Sequence, residues 1–217
     1  MPGPLEIVHA TCRYVVVNKP PGLLSVPGKG AANQDCVPAR VAALFPGASG
    51  PLVVHRLDMD TSGLLVLGLD PDAQRELSRQ FEAREVEKTY TALVEGTVPL
   101  ESGTIDAPIR ADIARRPIQV IDRAHRRPAI TVFRVVAFEP GRTRLELVPL
   151  TGRTHQLRVH TADAASWPDR TPHPIVGDVL YGHAEREAER LMLHASLLIF
   201  TEPGTGRRVT FRCPVPF

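Results

Sequence analysis

The chain has 217 residues, 43% of them hydrophobic, and 26 basic against 24 acidic side chains leave a net charge of +2. This is enough apolar material for one large domain or two small lobes, and it excludes a disordered chain. No apolar run reaches membrane-spanning length and the opening MPGPLEIVHATCRY lacks the basic-then-apolar pattern of a secretory leader, so a cytoplasmic protein is expected. In chain order, residues 5–17 hold two β-prone runs, LEIVHA and RYVVV, which stop at NKPPGLLSVPGKG. Its adjacent prolines and three glycines impose a constrained loop. A helix is predicted over residues 36–45, with Val37, Val41, Leu44 and Phe45 on one face. PLVV and LLVLGL then read as short buried strands, and the polar stretch VHRLDMDTSG connects them.

Asp70, Pro71 and Asp72 form a strong helix start, and that helix is predicted to run to Arg84 with Leu77, Gln80 and Phe81 turned inward. VEKTYTALVE is a predicted strand with Tyr90 at its middle, where packing is the ordinary role of a tyrosine. ITVFRVVAF and RTRLELVPL flank EPG as a hairpin. THQLRVHTAD is predicted helical, with Thr154 as its cap, Gln156 and His160 on one face, and Leu157 turned elsewhere. LMLHASLLIF and RRVTFRC supply a last hairpin about TEPGTG. Hairpin connections and few helices favour an α+β fold with a largely antiparallel or mixed sheet.

Connections on a rigid scaffold are where function concentrates, which singles out His55, Arg56, Asp58, Asp60, Thr61 and Ser62. The same residues also make a well-satisfied turn. Asp58 and Asp60 are too close in sequence for a glycosidase pair, whose carboxyl groups stand roughly 5–9 Å apart on different segments. A D-x-D phosphatase loop would need a later acidic cluster for magnesium, and the chain has none. Cys12, Cys36 and Cys213 are widely spaced and odd in number, which excludes a disulfide framework and a zinc knuckle. His155 and His160, five apart, do not stack on a helix, so no metal is expected. The absence of a Gly-rich phosphate loop means no nucleotide cofactor is expected either. Between Arg110 and Arg127, RADIARRPIQVIDRAHRR sets six arginines against Asp112 and Asp122. It is either a solvated surface segment or a contact for a nucleic-acid backbone.

Six segments, NKPPGLLSVPG, VHRLDMDTSGLLVL, KTYTALVEG, PLTGRTHQLRVH, GDVLYG and LMLHASLL, occur in an order and spacing that resemble the RluA family of pseudouridine synthases over essentially the whole chain. The resemblance implies the pseudouridine synthase fold, a mixed, largely antiparallel sheet with few flanking helices and a central catalytic cleft. It implies a single catalytic domain over residues 1–217 without an S4 domain, monomeric, acting on structured RNA without cofactor or metal. The target implied is 23S ribosomal RNA, a tRNA anticodon stem-loop, or both. Such an enzyme detaches uracil from its ribose, turns it and rejoins it through carbon five. By position, Asp58 is the aspartate that stabilises or traps the sugar, Arg153 the arginine that pairs with it, and Tyr90 the tyrosine that stacks on the base. Substrate contact is implied for Arg56, which helps flip the nucleotide out, and is extended to His55 and Thr61, with Arg115 and Arg116 at the rim; for Gln156, Leu157, Arg158 and His160 base contact stands beside helix packing and loop anchoring as equal alternatives. Asp60 falls where the family varies, and the loop DAASWPDRTPHP is longer than the family pattern. An RNA-binding or RNA-folding protein of the same fold without activity is the alternative, as is a synthase for a different tRNA site.

Overall fold

The computed structural model describes residues 3–30, 33–182 and 190–217. They form two compact units, one of residues up to Lys88 with His194–Pro216, the other of Thr89–Leu193 with Phe217. The first contains β1 (Glu6–Ala10), β2 (Tyr14–Lys19), α1 (Val37–Leu44), β3 (Ser62–Gly68) and α2 (Pro71–Glu82). The chain continues through β4 (Glu87–Glu95), β5 (Ser102–Asp106), β6 (Ile109–Ala111), β7 (Gln119–Ile121), β8 (Ile130–Glu139), β9 (Arg142–Pro149) and α3 (Gln156–Ala162). It ends with β10 (Leu193–Thr201) and β11 (Arg208–Arg212). The fold is α+β, as its hairpin-rich pattern predicts.

In the first unit β2 pairs antiparallel with β1 on one side and with β3 on the other, from Tyr14 opposite Gly68 to Lys19 opposite Gly63. β3 pairs parallel with β10 at Ser62 opposite His194 and Gly63 opposite Ala195, and β11 returns antiparallel along Leu197–Thr201. All seven residues of β3 are buried, which is why SGLLVLG reads as a continuous apolar run and not as an alternation. Tyr14, Val16, Leu64, Val66, Leu77, Leu198 and Phe200 share one core, each fully buried side chain contributing about 1.5–3 kcal/mol. At Gly63, φ is 109° and a Cβ would stand 2.6 Å from the Ala195 nitrogen, so only glycine permits the strands to meet there.

Helix α2 starts as predicted. The Asp70 carboxylate accepts the N–H groups of Asp72 at 2.9 Å and Ala73 at 2.8 Å, and Pro71 opens the first turn. It stops at Glu82, short of the predicted Arg84, whose φ of 59° has already left the helix. PLVV is not a strand. Leu52 is left-handed at φ 53°, and within this run only Val53 forms a bridge, to Leu67, so a partly buried loop leads into the polar stretch.

In the second unit, β4, β9, β8 and β5 pair antiparallel in that order. The predicted hairpin about EPG is present, with Glu139 opposite Arg142. Ala92, Val94, Ile105, Phe133, Leu145, Leu147, Leu157 and Trp167 form the core. The long loop is anchored through Trp167, which stacks edge-on to Phe133 at 5.1 Å and donates its indole N–H to the Thr161 carbonyl at 2.9 Å. The arginine-rich segment is a small antiparallel ribbon, β6 with β7, and the turn between them. Thr154 does not cap α3. His155 occupies that position with φ 54° and no side-chain cap.

Candidate active site

The stretch around Asp58 leaves a partly buried loop and enters β3, so its backbone must be held from outside any ladder. The constrained loop after β2 does this. Ser25 Oγ accepts the Leu57 N–H at 3.1 Å and donates to the Leu57 carbonyl at 2.7 Å, while the Gly22 N–H bonds the Met59 carbonyl at 2.9 Å. Lys19 is fully buried, and its ammonium donates to three carbonyls, Pro20 at 3.0 Å, Leu23 at 2.8 Å and Met59 at 2.7 Å. The residues on either side of Asp58 are thus fixed through their main chain. The Thr61 N–H closes the turn on the Asp58 carbonyl at 3.2 Å.

Arg56 is exposed and Asp58 half-buried. His55 is turned into the framework. Its Nε2 accepts the Val66 N–H at 3.1 Å and its ring stacks on Phe81 with centroids 4.2 Å apart. Burial, and then the positive charge of Lys88, pushes its pKa down to about 3, so the ring is neutral and suited to accept. That acceptor nitrogen serves β3. Thr61 Oγ1 is buried and has no hydrogen-bond partner among the described residues, while Ser62 Oγ meets His194 Nδ1 at 2.8 Å.

In the second unit Tyr90 lies mid-strand opposite Leu147, partly buried against the core. Arg153 is half-buried, with Nε donating to the Pro128 carbonyl at 3.1 Å. The residues after it are committed to structure. The Gln156 amide oxygen accepts from the Arg153 N–H at 3.0 Å and from Thr151 Oγ1 at 2.8 Å. Its nitrogen donates to the Ile130 carbonyl at 3.0 Å and to Thr131 Oγ1 at 3.1 Å, which fills both donors and both lone pairs. His160 reaches the same Thr131 hydroxyl at 2.9 Å, so the shared face predicted for the two residues exists and points at β8. The other His160 nitrogen donates to the Ala107 carbonyl at 2.9 Å, and burial lowers the imidazole's pKa. Leu157 is core. Arg158, 2% exposed, grips Asp178 with Nε at 2.7 Å and Nη2 at 2.6 Å. Gln156, Leu157 and Arg158 are thus buried, and each has partners within its own unit.

Arg115 and Arg116 lie where the ribbon turns, both exposed, but Arg115 is paired with Asp112 at 2.7 Å and Arg110 with Asp122 at 2.7 Å. Arg116, Arg126 and Arg127 are exposed with no ion pair among the described residues. Sequence reasoning missed Lys19, Ser25, Asp178 and Tyr181. The pattern NKPPGLLS signalled a constrained loop without saying what it constrains, and GDVLYG gave no hint that its aspartate neutralises Arg158. Among the described residues no group of three His, Cys, Asp or Glu side chains could hold a metal ion.

A sequence model of the family described as RNA pseudouridylate synthase matches residues 13–163. A dual-specificity RNA pseudouridine synthase RluA of Yersinia pestis is 45% identical over 214 residues, 97% of this chain and 99% of that protein. The protein of the same name from Escherichia coli K12 is 42% identical over 98% of this chain and 94% of its own length. Among solved structures, human RNA pseudouridylate synthase domain containing 1 superposes with a TM-score of 0.81 at 31% identity, covering all of this chain and 87% of the human one. Human RNA pseudouridylate synthase domain containing 4 superposes with a TM-score of 0.74 at 27% identity, covering 97% of this chain and 88% of the human one.

Proposed function

This chain belongs to the RNA pseudouridylate synthase family and is an RNA pseudouridine synthase, and from that premise we propose that its targets are uridines in 23S ribosomal RNA, in a tRNA anticodon stem-loop, or in both. The reading is supported by relatives named dual-specificity synthases that align over nearly their whole length. We place it in the cytoplasm as a monomer, and no helix among the described residues is long and apolar enough to cross a membrane.

Asp58 is the reacting carboxylate. The observation that supports this is the clamp of Lys19, Gly22 and Ser25, which fixes Leu57 and Met59 by their backbones and so holds the loop on both sides of Asp58. With the nucleotide flipped out, the bond from N1 to C1′ breaks, the carboxylate stabilises or bonds the sugar carbon, and uracil turns. Carbon five then bonds C1′, loses its proton, and N1 gains one, so the net change is an isomerisation. Tyr90 stacks on the base, and Arg56 takes the vacated space. Asp58→Ala is expected to lower single-turnover pseudouridine formation by at least about 10³-fold, the scale of removing a reacting group, with RNA affinity retained. Turnover persisting in that variant contradicts the assignment.

Arg153 is the arginine that serves the carboxylate by position in the motif, and Arg153→Ala should lose turnover with modest loss of RNA affinity. One observation favours Arg158 for the same role. Its guanidinium is held in a fixed plane by both oxygens of Asp178, whereas among the described residues the Arg153 guanidinium is held through Nε alone. Full turnover in Arg153→Ala with loss in Arg158→Lys, which keeps the charge but not the fork, would select Arg158.

A further inference from the structure

Tyr181 lies outside every role given above, yet its side chain joins three segments of the second unit. The phenol oxygen accepts the Gln119 N–H at 2.9 Å and stands 2.7 Å from Nδ1 of His155, and either tautomer of the imidazole completes that second bond. Gln119 opens β7. The Asp112 N–H bonds the Ile118 carbonyl across the ribbon, and because antiparallel pairs alternate, the N–H of Gln119 points away from β6 and needs a partner elsewhere. Tyr181 supplies it. The ring packs on Ile109, Ala129 and Val159 and lies under the Arg158 guanidinium, 5.3 Å from centroid to carbon. The turn bearing it is fixed by Asp178, whose Oδ1 accepts the N–H groups of Leu180 at 2.9 Å and Tyr181 at 3.1 Å.

One rigid side chain, anchored at its base by a buried ion pair, therefore holds both the arginine-rich ribbon and the left-handed residue that follows the Arg153 loop. A cationic ribbon adds affinity and register only if its angle to the rest of the site is set before the RNA arrives, since ordering it afterwards costs conformational entropy. We propose that Tyr181 is a positioning residue whose hydroxyl sets the ribbon against residues 153–156, so that RNA phosphates met by Arg116, Arg126 and Arg127 are brought into register with that segment. This rests on the RNA synthase reading above.

Tyr181→Phe keeps the ring packing and removes both hydrogen bonds. The test compares wild type, Tyr181→Phe, the triple variant Arg116→Ala, Arg126→Ala, Arg127→Ala, and all four changes together, on an unmodified tRNA anticodon stem-loop transcript. Binding is measured over a range of salt, with kcat and KM alongside. Tyr181→Phe should lower kcat/KM about tenfold, chiefly through KM, and flatten the dependence of affinity on salt. In the triple-arginine background the same change should cost less than about twofold. Partial unfolding would scale affinity by one factor at every salt concentration and leave the slope unchanged, so the slope separates positioning from folding. Multiplying effects, or an unchanged slope with activity intact, overturns the joint. A flattened slope in a protein that forms no pseudouridine supports the joint and refutes the activity instead.

Discussion

Two polar segments carry the recognisable motifs, and they are held in opposite ways. The segment from His55 to Gly63 is held by others. Lys19, Gly22 and Ser25 grip the main chain of Leu57 and Met59, on either side of Asp58. The segment from Thr151 to His160 holds itself. Gln156, Arg158 and His160 spend their side chains on Thr131, Asp178 and Ala107. The first arrangement fixes its loop through the backbone, and the second fixes its residues through their side chains. A motif is thus no guide to which of its members react until the main-chain and side-chain partners are separated.

The sharpest way to break this contrast is to remove one buried charge from the second segment. Arg158→Ala strands the Asp178 carboxylate, which is fully buried, and should destabilise the protein by about 3–5 kcal/mol in urea unfolding. Asp58→Ala should stay within about 1 kcal/mol of wild type in the same measurement. Equal losses in the two variants would erase the distinction between the segments.

How much of this was legible in the sequence follows the same line. The cap at Asp70, the hairpin about EPG and the buried run of β3 were readable because each depends on neighbours in sequence. PLVV failed as a strand and Thr154 as a cap because backbone at Leu52 and His155 is left-handed, a choice made by tertiary contacts and invisible to propensity. The clamp by Lys19 was illegible for a different reason. It joins carbonyls, which every residue has, across forty positions of sequence.

That clamp predicts the next effect in size. Lys19→Met fills the space but leaves three carbonyls without their donor, and should cost about 2–4 kcal/mol of stability. Turnover should fall in kcat more than in KM, because the loop bearing Asp58 loses its hold while the arginines proposed to meet RNA are untouched. A KM effect with normal kcat would mean that the clamp does not position Asp58.

A smaller, graded effect is expected from acid. The folded-state pKa of His55, about 3, lies below the ordinary 6.5, and that of His160 is lowered too. Above the ordinary value both folded and unfolded chains are neutral at these rings and stability is flat. Below it the unfolded chain takes up protons that the folded one refuses, so stability falls as pH drops from 6.5 toward 3, by about 1.4 kcal/mol per pH unit for each proton. Urea midpoints near pH 7.5 and near pH 5 measure the slope, and His55→Asn should flatten it. An unchanged slope in that variant would show that His55 is not the buried neutral acceptor described.

The least effect of all is expected at Asp60, and it is informative for that reason. Asp60 shares the loop, the charge and nearly the exposure of Asp58, differing by two positions. A site that worked by the general negative potential of the loop would feel the loss of either carboxylate. A site that works through one positioned carboxylate would feel only Asp58. Asp60→Ala should therefore change single-turnover rate by less than about twofold and stability by less than about 0.5 kcal/mol. A loss at Asp60 approaching that at Asp58 would mean that the clamp on Leu57 and Met59 fixes a charged surface and not a single reacting group.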